Sequence, residues 1–293
     1  MLYTIENDTL RVQVNDLGAE LWSVQTKTDN CEYLWQGDAT YWSGRAINLF
    51  PICGRLFEGK YTYNGETYEM RLHGFLRNST TRVSAQTATA VSFELTENAE
   101  TLAQYPFRFR ITVTYSLEGN TVHHTFRVEN TDSENTLIFA VGGHPGFNVP
   151  LTEGESFEDY YVEFDSDKQP QLVEMSDTCF DTGHRRPFPM EEGNRLSLRH
   201  DLFNIDAIFL TYMSDGITLR SKKSDKFVHL YYPDMNALGL WHKPRTDAPY
   251  ICIEPWYSVP SYDGEVDDLE QKQLMVHLAP DCVYENTYNI TVG

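Results

Sequence analysis

Residues 107–131 read FRFRITVTYSLEGNTVHHTFRVENT, and this stretch decides the fold class. Phe107, Phe109, Ile111, Val113 and Tyr115 occupy every second position, as do Val122, His124, Phe126 and Val128. A period of two puts those side chains on one face of a strand, whereas a helix repeats its apolar face every three or four residues. Glu118-Gly119-Asn120 between the runs predicts a hairpin turn. The expectation is two long antiparallel strands sharing an apolar face.

The same signature extends outward in both directions. Toward the N-terminus lie TLRVQV (9–14), AELWSVQT (19–26), GKYTYNGETYEM (59–70) and TRVSAQTATAVSFELTE (81–97). Asn64-Gly65 is a strong hairpin signal, because both residues tolerate the positive φ of a tight two-residue turn. Toward the C-terminus come NTLIFAVGG (135–143), YYVEFD (160–165), RLSLRH (195–200), AIFLTY (207–212), GITLRS (216–221), KFVHLYY (226–232) and YICIEPW (250–256). Helical candidates are confined to ETLAQYP (100–106) and VDDLEQKQ (266–273), and the polar stretch 152–195 reads mostly as loops. A dozen or more strands with hardly a helix require stacked antiparallel sheets. The sequence therefore predicts an all-β protein, a large antiparallel β-sandwich in a single domain over 1–293. No fixed repeat period supports a propeller or solenoid.

The chain has 293 residues and a formal net charge of −20, with 41% hydrophobic and 23% charged residues. That composition is globular and argues against disorder. The negative balance repels phosphate backbones and anionic lipid, so neither nucleic acid nor a membrane is expected as partner. No window is long and apolar enough to span a bilayer, and the N-terminus lacks a leader pattern. Cys31, Cys53, Cys179, Cys252 and Cys282 are odd in number and scattered, without a CxxC pair. They read as reduced thiols of a cytoplasmic protein, mostly core residues, with no disulfide framework and no metal spacing.

Four stretches differ from ordinary strand or turn. Asn48–Leu56, NLFPICGRL, ends an apolar run with a glycine and Arg55. Leu72–Leu76, LHGFL, sets His73 before a glycine among apolar neighbours, and Val141–Asn148, VGGHPGFN, holds His144 among glycines and a proline. Tyr250–Trp256, YICIEPW, places Glu254 inside an apolar run, where a carboxylate needs a partner or a solvent-facing side. His73, His144 and Glu254 offer acid/base chemistry; no nucleophile elbow, zinc motif or phosphate loop accompanies them. Cys53 and Cys252 lie beside these stretches without an adjacent base, so a thiol nucleophile has little support. Trp35, Trp241, Trp256 and Tyr257 supply either a sugar-stacking platform or core.

These motifs carry a resemblance. LGAELWSVQ, FPICGRLFEGKYTYNGETYEMRLHGF, GGHPGFN and CIEPW, in that order over nearly the whole chain, resemble the aldose 1-epimerase (galactose mutarotase-like) family. The likeness is to its shorter bacterial branch associated with lactose operons. The resemblance implies a β-supersandwich that interconverts the α and β anomers of a free hexose, such as galactose or glucose, without a cofactor. Carried onto this chain, it implies His144 as general acid on the ring oxygen and Glu254 as general base at the anomeric hydroxyl. It also implies Arg55, His73 and Asp206 as sugar-binding residues. The chain has HGF and HPGFN where the better-known galactose enzymes have HGG and HxYFN, which bears on which sugar is bound.

Ordinary side-chain values leave Glu254 ionised near neutrality, and carboxylates in so acidic a chain are expected to keep His144 protonated. Two other readings stay open. A hexose 6-phosphate would need a local cationic pocket, for which Arg45, Arg71 and Arg77 are candidates. A non-catalytic sugar-binding protein would have no need of both His144 and Glu254. A homodimer is left open.

Overall fold

A computed structural model describes residues 1–293. Its strands gather mainly into two large sheets, antiparallel throughout. One has nine strands, in the order 195–197, 160–164, 216–221, 227–231, 283–292, 121–130, 109–118, 90–96, 82–86. The other has seven, in the order 181–187, 171–175, 208–211, 237–241, 250–256, 142–148, 46–49. The alternating stretch 107–131 supplies Phe109–Glu118 and Thr121–Asn130, paired over their full length with Glu118 opposite Thr121. Asn64 and Gly65 both take positive φ, 51° and 79°, and turn Lys60–Tyr63 into Glu66–Glu69.

Alternation fixes which face of each strand meets the core. Ile111, Val113, Tyr115, Val122, Phe126 and Val128 of the nine-stranded sheet join one apolar cluster with Phe147, Leu238, Leu240, Ile251 and Ile253 of the seven-stranded sheet. Burying each such side chain stabilises the fold by about 1.5–3 kcal/mol. Asn48 also crosses between the sheets, donating to the Tyr115 hydroxyl at 3.0 Å and to the Ala19 carbonyl at 2.8 Å.

The other face of the seven-stranded sheet is covered as well. Ile47, Leu49, Phe209, Ala237 and Trp256 form a second buried cluster there, and Trp35, Ala248, Tyr250 and Cys252 a third. Every residue of Tyr250–Trp256 is therefore buried, which is why that strand reads as an almost unbroken apolar run.

Two sequence expectations need correction. The 152–195 stretch is not mostly loop: besides Tyr160–Phe164 it contains Gln171–Met175 and Asp181–Pro187. VDDLEQKQ is no helix. Its Asp267–Asp268 forms a short parallel bridge to Tyr61 and Thr62, and turns follow. The single α-helix, Ala99–Gln104, falls where ETLAQYP suggested, and Asn98 caps it by accepting from the Glu100 and Thr101 amides. Cys53 and Cys252 are core residues as expected, whereas Cys31 and Cys179 are half-buried and Cys282 is exposed. No helix is long and apolar enough to cross a membrane.

Candidate active site

The outer face of the seven-stranded sheet carries the site. Register pairs Gly142 with Trp256 and Gly146 with Cys252, so His144 stands across from Glu254 on the neighbouring strand. Their side chains meet with His144 Nε2 3.2 Å from Glu254 Oε2. Neither Pro145 nor Pro255 can donate a ladder hydrogen bond, and regular pairing between these central strands lapses between Gly142 and Gly146. On the other side, Gly239 stands opposite Glu254, where a Cβ would lie 3.4 Å from the carboxylate; glycine leaves that space to the carboxylate.

Around the pair opens a cavity of about 310 Å³. Arg55, His73, His144, Asp206 and Glu254 all line it, so the structure brings together every site residue expected from sequence. Arg55 reaches Asp206 at 3.1 Å, joining the NLFPICGRL segment to the turn before Ile208–Thr211. His73 sits at a φ of 66° and Gly74 at 71°, and a Cβ on Gly74 would lie 2.2 Å from the Phe50 carbonyl oxygen. Only glycine fits that approach. The turn so made lets His73 Nδ1 accept from the Gly54 amide at 3.1 Å, which puts the ring's proton on Nε2.

Sequence reasoning missed Trp42. Its ring stacks on His144 at 4.8 Å between centroids, while Trp241 and His73 approach the imidazole edge-on at 5.8 and 5.4 Å. Trp42 lies in the loop between Glu20–Thr26 and Ala46–Leu49, outside any alternating run, and no sequence pattern marks it. Of the aromatics proposed as a platform, Trp241 and Trp256 line the cavity. Trp35 instead stacks on Tyr250 at 4.6 Å, and Tyr257 lies outside the cavity.

The electrostatics correct a further expectation. No field of carboxylates holds a proton on His144; the one carboxylate it touches is Glu254. Burial, reinforced by the positive charge of Arg77, pushes His144 down to about 3, and burial with help from Asp206 pushes Glu254 well above the carboxylate range. Burial, with His144, Arg77 and Arg55 adding to it, keeps His73 neutral as well. The arrangement thus favours a neutral imidazole beside a protonated carboxyl over a separated ion pair. Glu254 is not at a sheet position with one solvent face: it is 1% exposed.

Of the three arginines considered for a phosphate, only Arg77 lines the cavity. Arg45 lies over the Trp22 ring at 4.0 Å and donates to the Trp22 carbonyl, and Arg71 is exposed elsewhere. Lys243 is a further cation on the cavity wall that the sequence did not suggest.

A family model described as Aldose 1-epimerase matches residues 1–279. The plasmid and chromosomal LacX proteins of Lactococcus lactis subsp. lactis are each 35% identical over 300 residues, covering 100% of this chain and 99% of theirs. A solved galactose mutarotase related enzyme from Lactobacillus acidophilus is 36% identical, with a TM-score of 0.95 over 100% of this chain and 97% of its own. A galactose mutarotase-like protein from Lactobacillus casei is 33% identical, with a TM-score of 0.94 over 100% of both chains. By its sequence and its fold, this chain belongs to the aldose 1-epimerase family.

Proposed function

We propose that the protein interconverts the α and β anomers of a free hexose such as galactose or glucose, with His144 as general acid and Glu254 as general base. The observation that carries this reading is the 3.2 Å pairing of an imidazole and a carboxylate on the wall of a cavity lined by both aromatic and polar side chains. Ring opening removes a proton from O1 and delivers one to O5. Both oxygens are bonded to C1, so a donor and an acceptor lying side by side can reach the two together.

The protons balance over the cycle. With a closed sugar bound, the reactive form is imidazolium and carboxylate. Glu254 takes the O1 proton as His144 protonates O5, the C1–O5 bond breaks, and an open-chain aldehyde remains. The pair is then neutral imidazole and protonated carboxyl, the state burial favours. The imidazolium and carboxylate form is therefore the higher in energy of the two and is reached with sugar bound. Rotation about C1–C2 presents the other carbonyl face, and the reverse transfers close the ring as the opposite anomer. Arg55, His73 and Asp206 are placed to hold the remaining oxygens, with the neutral His73 offering its Nε2–H.

Optical rotation of freshly dissolved α-D-galactose and α-D-glucose tests the reading: the protein is expected to speed relaxation to equilibrium, and no acceleration of either would contradict it. A second reading, a hexose 6-phosphate substrate, draws on Arg77 and Lys243, two cavity-wall cations without an ion-pair or hydrogen-bond partner for their charged groups. A kcat/KM for glucose 6-phosphate well above that for glucose would decide for it.

A further inference from the structure

We infer that His144, Cys252 and Glu254 form a binding site for a thiophilic divalent cation of the zinc class, and that the bound ion shuts down the catalytic pair. Cys252 precedes Glu254 by two residues on the same strand, so both side chains leave the same face of the sheet. A ring nitrogen of His144, the Cys252 sulfur and a Glu254 oxygen lie within 4.8 Å of one another. All three residues are buried. Two of the donor groups still have capacity to spare: Glu254 Oε1 and His144 Nδ1 are buried without a hydrogen-bond partner.

The donor set selects the metal. One sulfur, one nitrogen and one oxygen suit a tetrahedral ion such as Zn²⁺, whereas Mg²⁺ and Ca²⁺ prefer all-oxygen shells. His144 and Glu254 line the cavity, which gives an ion a route in. Cys252 lies behind them among Trp35, Trp42 and Trp241 and does not line the cavity. Binding releases the thiol proton and the proton shared by the imidazole and carboxyl. A neutral site therefore stays neutral, holding one dication, one thiolate and one carboxylate. With both catalytic heteroatoms engaged on metal, neither can exchange a proton with sugar.

The inhibitory half of this inference rests on the anomer-interconverting reading; the binding half does not, and its readout is separate. Zn²⁺ is expected to inhibit mutarotation where equal Mg²⁺ does not. Cd²⁺ is expected to raise the ultraviolet charge-transfer band of a cadmium–thiolate bond. Cys252→Ala should keep the basal rate, lose the band, and need at least tenfold more Zn²⁺ for the same inhibition. Glu254→Gln, which retains the thiol, should bind Cd²⁺ at least tenfold more weakly by the same band. A band that persists in Cys252→Ala, no band in the unaltered protein, or equal Zn²⁺ sensitivity with and without Cys252 would overturn the site. A wild-type protein that shows the band but moves no sugar would retain the site and remove the proposed activity instead.

Discussion

His124 and His144 are both buried strand histidines, and in both burial pushes the imidazole down to about 3. His124 belongs to the nine-stranded sheet. Tyr115, Phe126 and Tyr288 enclose it with ring centroids 4.4–4.5 Å away, and neither of its nitrogens finds a partner. His144 belongs to the seven-stranded sheet, meets a carboxylate at 3.2 Å and borders a cavity. The two share residue type, burial and direction of shift. What separates them is a second titratable group on the adjoining strand and space for a small molecule. A displaced imidazole affinity marks burial; only with a proton partner and a cavity does it mark chemistry.

That contrast can be broken by substitution. Glu254→Gln and His144→Gln should each lower the rate of anomer exchange at least ~100-fold while the protein stays folded. Near-normal turnover in either would place the chemistry elsewhere. His124→Phe should leave that rate within about twofold, because the residue does not line the cavity.

Trp42→Ala sharpens the contrast by removing a neighbour that only His144 has. A stacked aromatic contact contributes about 0.5–1.5 kcal/mol, so kcat should fall up to about tenfold, with KM less affected. An unchanged kcat with a raised KM would make Trp42 a sugar contact instead.

Acid stability of the unaltered chain, compared with that of His124→Phe, isolates the contribution of His124 from that of the other buried histidines. The unfolded chain takes up its proton below about 6.5, while the folded chain refuses it down to about 3. Stability is therefore complete above that window and lost as pH falls through it, by up to about 1.4 kcal/mol per pH unit. His124→Phe should flatten urea-denaturation stability between pH 4 and 6 by about that slope relative to the unaltered chain; an unchanged slope would mean that His124 is protonated when folded. At neutral pH the same substitution has a smaller effect. Removing buried polar atoms without partners should stabilise the fold by about 1 kcal/mol, provided the ring is accommodated.

The fold was legible wherever one face of a strand is buried and the other is not. Phe109–Glu118 and Thr121–Asn130 alternate along their length because one side meets the core and the other does not. Gln171–Met175 and Asp181–Pro187 escaped notice because each buries a single residue, Val173 and Asp181, which leaves no alternation to read. Glu254, His144, His73 and Arg55 were legible because a charged or glycine-flanked residue inside an apolar run breaks a local rule, and such breaks concentrate at functional sites. Trp42 broke no rule, being one of four aromatics in the segment between Glu20–Thr26 and Ala46–Leu49. The protonation of the pair was misjudged for a different reason: net charge is a property of the whole surface, whereas burial acts on the two groups themselves.

The central claim is that His144, and not a buried histidine in general, moves the proton between protein and sugar. The direct test is polarimetric relaxation of fresh α-D-galactose and α-D-glucose with the unaltered protein, His144→Gln and His124→Phe side by side. The expected result is acceleration by the first and third and none by the second. Acceleration that survives His144→Gln, or is lost in a folded His124→Phe, would contradict it.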